Sequence, residues 1–454
     1  MTSRAGSPIN SEALKAPLET LLALAKKAGA DTADAVATHG RSLSIGVRGG
    51  QIEDVDSSEG RDVGLRVILG KKQACVSTSD LSKASLEMLA ERAVAMARLA
   101  PDDGYCGLAP SAVLERAPEN LNLFDPTILN PEDLKIRALE LEAAALSVKG
   151  VSQAEGAGAS ATSSAIYFAT SDGFASGWRS SRFNMSVLAI AEQDGAMERD
   201  YDYDGGRWLE DVKDPSLIGK KAGERAIARL GASQLKSGKM AVIFDRRVAA
   251  SLVSALTGAI SGPAISRGVS FLKDALGEPV FGKNIIIIDD PLIARGHGSR
   301  PWDGEGVRVS RRKIIDNGTL TTWLLNSASA RQLGLETTGH AYRNIGSPPG
   351  VASTNMILQN GDDSPAALMA NMGEGLLVTD MFGPSLNSNT GDYSVGVSGF
   401  KISGGVITTP VSEVTVAGNL IDIFPNIIAA NDLTIDGATA SPSLLLGELT
   451  VAGA

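Results

Sequence analysis

Few residues of this sequence could perform metal or nucleophilic chemistry. The chain of 454 residues has only three histidines and two cysteines, which are His39, His297, His340, Cys75 and Cys106. Two cysteines exclude a disulfide scaffold and a zinc-ribbon array, since each needs several pairs. The sequence also has no P-loop, no G-x-S-x-G elbow, no C-x-x-C pair and no H-E-x-x-H motif. Any chemistry must therefore come from a less regular cluster.

One polar cluster, Asp289 to Glu305, could hold a divalent metal ion. It contains two aspartates at its start, His297 in the middle, and Asp303 and Glu305 at its end. An imidazole with several carboxylates suits such an ion, but zinc sites usually take three protein ligands in a defined geometry. A surface loop, in which Asp and Gly form turns and Glu305 pairs with Arg308, is the simpler interpretation. A metal site of His297, Asp303 and Glu305 is the weaker alternative.

The other histidines and cysteines have structural interpretations. His340 lies in a Thr- and Gly-rich segment and is expected to form a cap or bond the backbone. His39 precedes Gly40 and is expected in a turn at a strand end. Cys75 follows a strand pattern and is expected in the core. Cys106 lies in a Pro-rich segment without a neighbouring base, so nothing activates its thiol.

Charge and hydropathy limit the partners of the chain. Lys and Arg number 42 and Asp and Glu number 52, which gives a formal charge of −10. An acidic chain opposes a broad phosphate-binding surface, so we expect no direct contact with nucleic acid. Residues 1–10 lack the apolar core of a secretory signal, and no apolar run approaches the ~18 residues that span a bilayer. We expect a cytoplasmic chain with reduced thiols and no membrane contact.

Hydrophobic periodicity predicts an N-terminal half of antiparallel strands flanked by helices. Period-two alternation on both sides of Gly49-Gly50 predicts strands joined by a turn, and Asn130-Pro131 predicts a capped helix start. Residues 101–130 carry four prolines with little periodicity, which indicates an extended linker. Helices are predicted at about 11–28, at 81–99, from 131 onward and at 215–230, with further strands over 151–207.

The C-terminal half is predicted to be mostly antiparallel β structure, forming a curved or barrel-like sheet with few helices. It opens with a strand at Met240–Phe244 and a helix at Val248–Ala259, and one further helix is predicted near Ser327–Leu333. Asp316-Asn317-Gly318 predicts a type I′ hairpin turn. The predicted fold class is therefore α+β. The predicted domains are residues 1–232, with sub-parts of about 1–105 and 119–232, and residues 236–454.

Several short motifs, taken in order, resemble the TldD/TldE (PmbA) family, an intracellular peptidase system once described as modulators of DNA gyrase. The N-terminal motifs are Ser44–Glu53 and Gly64–Ile68. The C-terminal motifs are Trp302–Gly306, Gly391–Gly399 and Pro442–Leu449. The resemblance covers nearly the whole chain, and the order and spacing of the motifs make it specific.

The resemblance implies that this chain is the metal-free member of a pair. The catalytic TldD branch carries an H-E-x-x-x-H motif on a helix and a later cysteine ligand, with which it binds zinc. The corresponding helix here is Ala249–Gly262, in which Ser254, Ala255 and Ala259 stand at the positions of the two histidines and the glutamate. No cysteine follows Cys106. The chain thus resembles the TldE/PmbA branch, with no catalytic residues and no cofactor of its own.

The resemblance also implies a heterodimer with a TldD-like catalytic subunit that supplies zinc and hydrolysis. This chain would help to hold an unfolded or modified peptide, added as a strand to an exposed sheet edge. When isolated, it could form a homodimer. The candidate contacts with substrate or partner are Asp303, Glu305, Arg308, Asp392 and Tyr393.

Two other functions remain open from the sequence. One is a regulatory protein that binds DNA gyrase or another protein target without proteolysis, which an acidic chain allows through a basic surface of that target. The other is an independent hydrolase that uses the cluster around His297, although the cluster offers few ligands for a metal.

Overall fold

The computed structural model describes residues 9–453, so the predicted absence of a secretory signal at residues 1–10 lies mostly outside the described residues. The N-terminal half combines a six-stranded sheet with helices. The strands are β1 (Thr32–Arg48), β2 (Gln51–Leu69), β3 (Lys72–Thr78), β4 (Val151–Thr170), β5 (Ala175–Gln193) and β6 (Ala196–Gly206). The helices are α1 (Lys15–Ala28), α2 (Lys83–Leu99), α3 (Pro131–Leu146) and α4 (Pro215–Ala228).

The N-terminal sheet is antiparallel throughout, in the order β3-β2-β1-β4-β5-β6. The β1–β2 hairpin turns at Gly49 and Gly50, as predicted, and both glycines have positive φ. Strand β3 pairs with β2 only from Val63 onward. The outer edge of β2 from Gln51 to Asp62 therefore has no neighbouring strand among residues 9–453.

Helices cover one face of this sheet, and the middle of the other face is polar. Ala35 and Val47 of β1 are buried beneath helices, α1 and α2 at one end and α3 and α4 at the other. Because side chains alternate along a strand, the even-numbered residues of β1 lie on the opposite face. We call its central part the polar face, and it includes Thr38, Ser42, Ser58, Thr162, Ser164 and Ser180.

The C-terminal half contains many short strands and one closed barrel. The helices are α5 (Arg246–Ala259), α6 (Gly262–Ser266), α7 (Ser327–Leu333), α8 (Pro365–Met372) and α9 (Leu420–Ile423). The strands are β7 (Gly238–Phe244), β8 (Ile287–Asp289), β9 (Arg312–Asp316), β10 (Thr319–Leu320), β11 (Ala341–Tyr342), β12 (Gly350–Val351), β13 (Met356–Leu358), β14 (Gly375–Leu386), β15 (Asp392–Ser403), β16 (Val406–Asn419), β17 (Ile428–Ala429), β18 (Thr439–Ala440) and β19 (Leu444–Ala452).

Five strands close the barrel in the order β16-β15-β14-β7-β19, because β16 also pairs with β19. Helix α5 follows β7 directly and packs its apolar side into the core that the barrel shares with a second sheet, β10-β9-β8-β13-β18. The core of the C-terminal half is thus continuous from the barrel to α5, which fixes the position of this helix.

The structure confirms the α+β class and the barrel-like C-terminal half. Two of its strand pairs, β7–β14 and β13–β18, are parallel within a mostly antiparallel arrangement. The prediction of a single later helix was wrong, since α8 begins at Pro365 with Ser364 as its cap. This segment is short and almost wholly apolar, so the sequence shows no helical alternation of apolar and polar residues there.

The proposed domain boundary near residues 232–236 stays a prediction. None of the helices within residues 9–453 is long and apolar enough to cross a membrane.

Candidate functional site

Helix α5 contains the positions that the resemblance assigns to a metal motif. Asp245 caps its start, because the carboxylate accepts a hydrogen bond from the backbone N–H of Arg247 at 3.0 Å. Leu252 and Leu256 are buried in the core and set the rotation of the helix. The opposite side of α5 therefore points away from the core, with Ser254 exposed.

The outward side of α5 lines a groove of about 520 Å³, which we call the α5 groove. Ser254, Ala255 and Ala259 all line it. Its other walls are the segment after α6 and the loop between β14 and β15, which are joined by a hydrogen bond from the N–H of Phe271 to the carbonyl oxygen of Ser388 at 2.8 Å. The remaining lining residues are Gly258, Ser261, Ala264, Arg267, Val269, Leu386 and Asn389.

Asp392 and Tyr393 begin strand β15 beside this groove, but neither is among its lining residues. The exposed Asp392 carboxylate accepts hydrogen bonds from the Thr390 hydroxyl at 2.6 Å and the Asn419 amide at 2.9 Å, which lower its pKa. Tyr393 is buried, and burial raises the pKa of its phenol to about 12. In this conformation both residues stabilise the loop and the barrel wall.

The interpretation of Asp303 and Glu305 as surface-loop residues was wrong. Their exposed fractions are 0% and 3%. Asp303 accepts hydrogen bonds from the backbone N–H groups of Glu305, Val307 and Ala341 at 2.8, 2.9 and 3.0 Å. Burial and the neighbouring Glu305 raise the pKa of Asp303 to about 7. These carboxylates organise a buried turn rather than an open binding surface.

The expected ion pair between Glu305 and Arg308 does not form in the described chain. Gly306, with φ of +77°, reverses the chain between them. Glu305 is directed inward, where it accepts a hydrogen bond from the backbone N–H of Ser327 at 2.8 Å. Arg308 is largely exposed and lies 3.6 Å from a carboxylate oxygen of Glu115. The turn at glycine thus separates two residues that are close in sequence.

A buried ion pair joins the two halves of the molecule near these carboxylates. Asp34 of β1 is fully buried and accepts hydrogen bonds from Arg66 of β2 and, at 3.1 Å, from Arg343. Gly64 of β2 faces the same C-terminal segment, because a Cβ there would lie 1.8 Å from the carbonyl oxygen of Ile345. The C-terminal half therefore rests directly on the backbone of the N-terminal sheet.

Two histidines occupy sites other than those predicted. His39 lies within β1 rather than at a strand end, and its Nε2 is 2.9 Å from a carboxylate oxygen of Glu59. The sheet accommodates Gly40 as an ordinary strand residue, so no turn forms there. The side chain of His340 is buried and bonds Asp289 and Thr338 instead of the backbone.

His297 lies against two arginines rather than with Asp303 and Glu305. Its Nδ1 is 3.3 Å from Nη2 of Arg182, and Arg207 donates to the carbonyl oxygen of His297 at 2.8 Å. Burial and the charges of both arginines lower the pKa of His297. Within residues 9–453, no group of three or more His, Cys, Asp or Glu side chains could hold a metal ion. Sequence reasoning missed both arginines, because only strand pairing brings them together.

Comparison with known proteins identifies the family to which this chain belongs. Models for the first, central and C-terminal domains of the PmbA/TldA metallopeptidases match residues 33–97, 124–230 and 237–453. Metalloprotease PmbA of Escherichia coli O157:H7 is 35% identical over 444 residues, which make up 97% of this chain and 96% of that protein. The chain belongs to the PmbA/TldD family.

Solved structures show the same PmbA/TldD fold. A candidate modulator of DNA gyrase from Bacteroides thetaiotaomicron is 25% identical, with a TM-score of 0.90 over 98% of this chain and 100% of that one. TldE from Thermococcus kodakarensis has a TM-score of 0.84 at 20% identity, over 96% of this chain and 100% of that one. The latter likeness concerns the fold alone.

The resemblance implies zinc as the metal, and it assigns the ligands of that zinc ion to the side of α5 that lines the groove. Zinc in proteins binds Cys, His, Asp or Glu, and the described lining residues of this groove include none of these. Ser254 donates its hydroxyl to the carbonyl oxygen of Ala250 at 3.1 Å. Ala255 and Ala259 have no ligand atom at all. The residues in this groove therefore do not fit a zinc ion.

Proposed function

We propose that this chain is the non-catalytic, TldE/PmbA-like subunit of a cytoplasmic TldD/TldE-type zinc metallopeptidase complex. In this proposal the chain helps to bind unfolded peptides, and a TldD-like partner cleaves them with its own zinc ion. The α5 groove carries the proposal, because an open groove is present at the motif positions while small side chains stand where the ligands would be.

The lining of the α5 groove supports the binding of an extended peptide. Ala255 and Gly258 are small, so a peptide backbone can approach the helix closely. Phe271 offers apolar surface, while Asn389 and Ser261 offer uncharged hydrogen-bonding groups. Apart from Arg267, the described lining is uncharged, so it would contact mainly the peptide backbone, as a subunit that holds unfolded chains requires.

The free edge of β2 supports a second protein chain as partner. Unpaired N–H and C=O groups on an edge strand can pair with a strand from another chain. Ile52 and Val55 on this edge are 47% and 52% exposed, so apolar surface accompanies the unpaired backbone. The proposal therefore has the TldD-like subunit pair with this edge. That subunit would bring the zinc ligands that the α5 groove of this chain lacks.

Reconstitution with a TldD-like subunit tests the proposal. Cleavage of an unfolded peptide is measured for each chain alone, for the pair, and for the pair after zinc removal by a chelator. We expect efficient cleavage by the untreated pair only, with activity restored when zinc is added back. Robust zinc-dependent cleavage by this chain alone would overturn the proposal.

Co-purification separates this proposal from a regulatory role. The tagged chain is recovered from cells, and the proteins bound to it are identified and quantified. We expect a stoichiometric TldD-like subunit. Recovery of gyrase without any TldD-like subunit would replace the proposal with regulation of gyrase by direct binding.

A further inference from the structure

A group of basic side chains borders the polar face and takes no part in the α5 groove. It consists of Arg182 on β5, Arg207 immediately after β6, and His297 in a C-terminal loop, and we call it the Arg–His cluster. Arg182 Nη2 lies 3.3 Å from His297 Nδ1. Arg207 donates to the carbonyl oxygens of Gly296 and His297 at 3.3 and 2.8 Å, which holds the loop against the sheet.

The Arg–His cluster has no carboxylate partner in the described chain. Among residues 9–453, Arg182 bonds only His297 and the neutral amide oxygen of Asn184, the latter at 3.1 Å. Asp204 and Asp436 are the carboxylates whose charge reaches His297. Lys213 and Arg246 already engage these two carboxylates, at 3.0 Å each. The positive charge of the cluster is therefore left uncompensated.

Strand pairing forces the two arginines together. The pairing between β5 and β6 ends at Phe183 and Gly206, so Arg182 and Arg207 are the next residue on each side, and their charges interact. Like charges directly across a strand pair are destabilising. Burial and the charge of Arg182 lower the pKa of Arg207 to about 10, which reflects the same unfavourable environment. A bound anion would compensate this cost through charge-assisted hydrogen bonds.

The cluster lies next to a cavity on the polar face, although none of its three side chains lines that cavity. Arg182 pairs with Thr162 across β4 and β5, and Thr162 lines a cavity of about 490 Å³. Small hydroxyl side chains such as Ser42 and Ser164 form much of its floor, where a peptide backbone can lie close to the sheet. A chain extended over this floor would bring a carboxylate within reach of Arg182.

We propose that the Arg–His cluster binds a carboxylate of an acidic peptide that lies on the polar face. This inference rests on the proposed function, to which it adds a second contact surface and a substrate class. Nη1 of Arg182 and Nε2 of His297 have no partner in residues 9–453 and are the available donors. Because Nδ1 of His297 accepts from Arg182, the neutral imidazole carries its proton on Nε2.

The test compares two labelled peptides of equal length, one with several glutamates and one with glutamines in their place. Their affinities for the full chain are measured by fluorescence anisotropy. We expect Arg182→Gln to weaken binding of the glutamate peptide by about tenfold and to leave the glutamine peptide unchanged. Arg92→Gln is the control, because Arg92 is exposed on α2, on the helix-covered side of the sheet.

A series of binding measurements at different pH tests whether His297 takes part in binding the glutamate peptide. Protonation of His297 adds a positive charge beside Arg182 and Arg207, so the glutamate peptide should bind more tightly as the pH falls through the titration of this imidazole. We expect His297→Gln to remove that dependence while its melting temperature stays close to that of the unchanged chain. A pH dependence that persists in His297→Gln would remove the histidine from the site.

The outcomes distinguish the inference from the proposed function. Equal affinity for the two peptides, or an unchanged affinity in Arg182→Gln, would overturn the inference alone. Weakening by Arg92→Gln as large as that by Arg182→Gln would also overturn it, because overall charge would then explain the selectivity. Failure of both peptides to bind would instead contradict the proposed function, since the chain would then hold no peptide.

Discussion

Replacement of Gly64 by alanine tests how closely the C-terminal half rests on the N-terminal sheet. A Cβ at this position would lie 1.8 Å from the carbonyl oxygen of Ile345 and 2.7 Å from its carbonyl carbon. Both contacts are with backbone, so no side-chain rotation can relieve them. The segment containing Ile345 must therefore move away from β2, and the nearby ion pair between Arg343 and Asp34 should loosen with it.

The expected cost follows from the size of this overlap. Overpacking a buried site usually costs about 1–3 kcal/mol, and an overlap with backbone places Gly64→Ala near the upper end, at about 3 kcal/mol. An unfolding entropy of about 2.1 cal/mol/K per residue gives about 1 kcal/mol/K for the 454 residues. The melting temperature should therefore fall by about 3 °C if the chain unfolds as one unit.

Scanning calorimetry of two glycine variants measures this effect. Gly60→Ala is the matched control, since Gly60 lies on the same strand and the same face, and its added Cβ would approach nothing closer than a carboxylate oxygen of Asp62 at 4.0 Å. Alanine fits there and lowers the entropy of the unfolded chain, so we expect no loss of stability. If Gly64→Ala melted at or above the temperature of Gly60→Ala, the close docking of the two halves would be refuted.

The groove, the free strand edge and the buried turn each give a further measurable outcome. Ala255→Phe partly fills the α5 groove, so peptide cleavage by the reconstituted pair should fall about tenfold with little change in melting temperature. Val55→Lys adds a charge to the free β2 edge and should weaken co-purification of the TldD-like subunit, whereas Val406→Lys, at a similarly exposed valine, should not. The pKa of Asp303 rises from an ordinary 3.8 to about 7 on folding. The folded chain therefore binds a proton at the Asp303 carboxyl group more tightly than the unfolded chain does, and the free energy of unfolding should decline as the pH rises from about 4 to about 7. Melting curves across that range should show a smaller decline for Asp303→Asn.

Helix caps and turns, which depend on residues close together in the sequence, predicted much of the fold. The start of α3 is an example, because the Asn130 side chain and Asp133 form the two reciprocal hydrogen bonds of a capping box. The turn at Asn317 and Gly318 is another, since both residues have the positive φ that the sequence predicted. Caps and turns depend on side chains a few positions apart, so a single sequence contains all that is needed to infer them.

The arrangement of the charged residues depends on contacts between distant segments and was not predictable. The pattern around Asp303 and Glu305 is that of a surface turn, yet the packing of the C-terminal half against Arg66 of β2 buries it. Arg182 and His297 meet only because a C-terminal loop lies against the middle of β5, where β6 ends. No local rule links residues so far apart in the chain, and therefore the prediction for Glu305 and Arg308 failed while the helix caps succeeded.

The packing of α5 indicates why its motif positions could lose metal ligands without loss of the fold. Leu252 and Leu256 anchor the helix in the core, whereas Ser254 is exposed and Ala255 is partly buried against the edge of that core. Substitution of Ser254 therefore leaves the core intact, and substitution of Ala255 affects only its edge. Ala259 differs, because it is only 6% exposed and a histidine there would have to enter the packed edge of the core. Restoring the motif would thus require repacking as well as three substitutions and a cysteine ligand, which supports the supply of zinc by a partner chain.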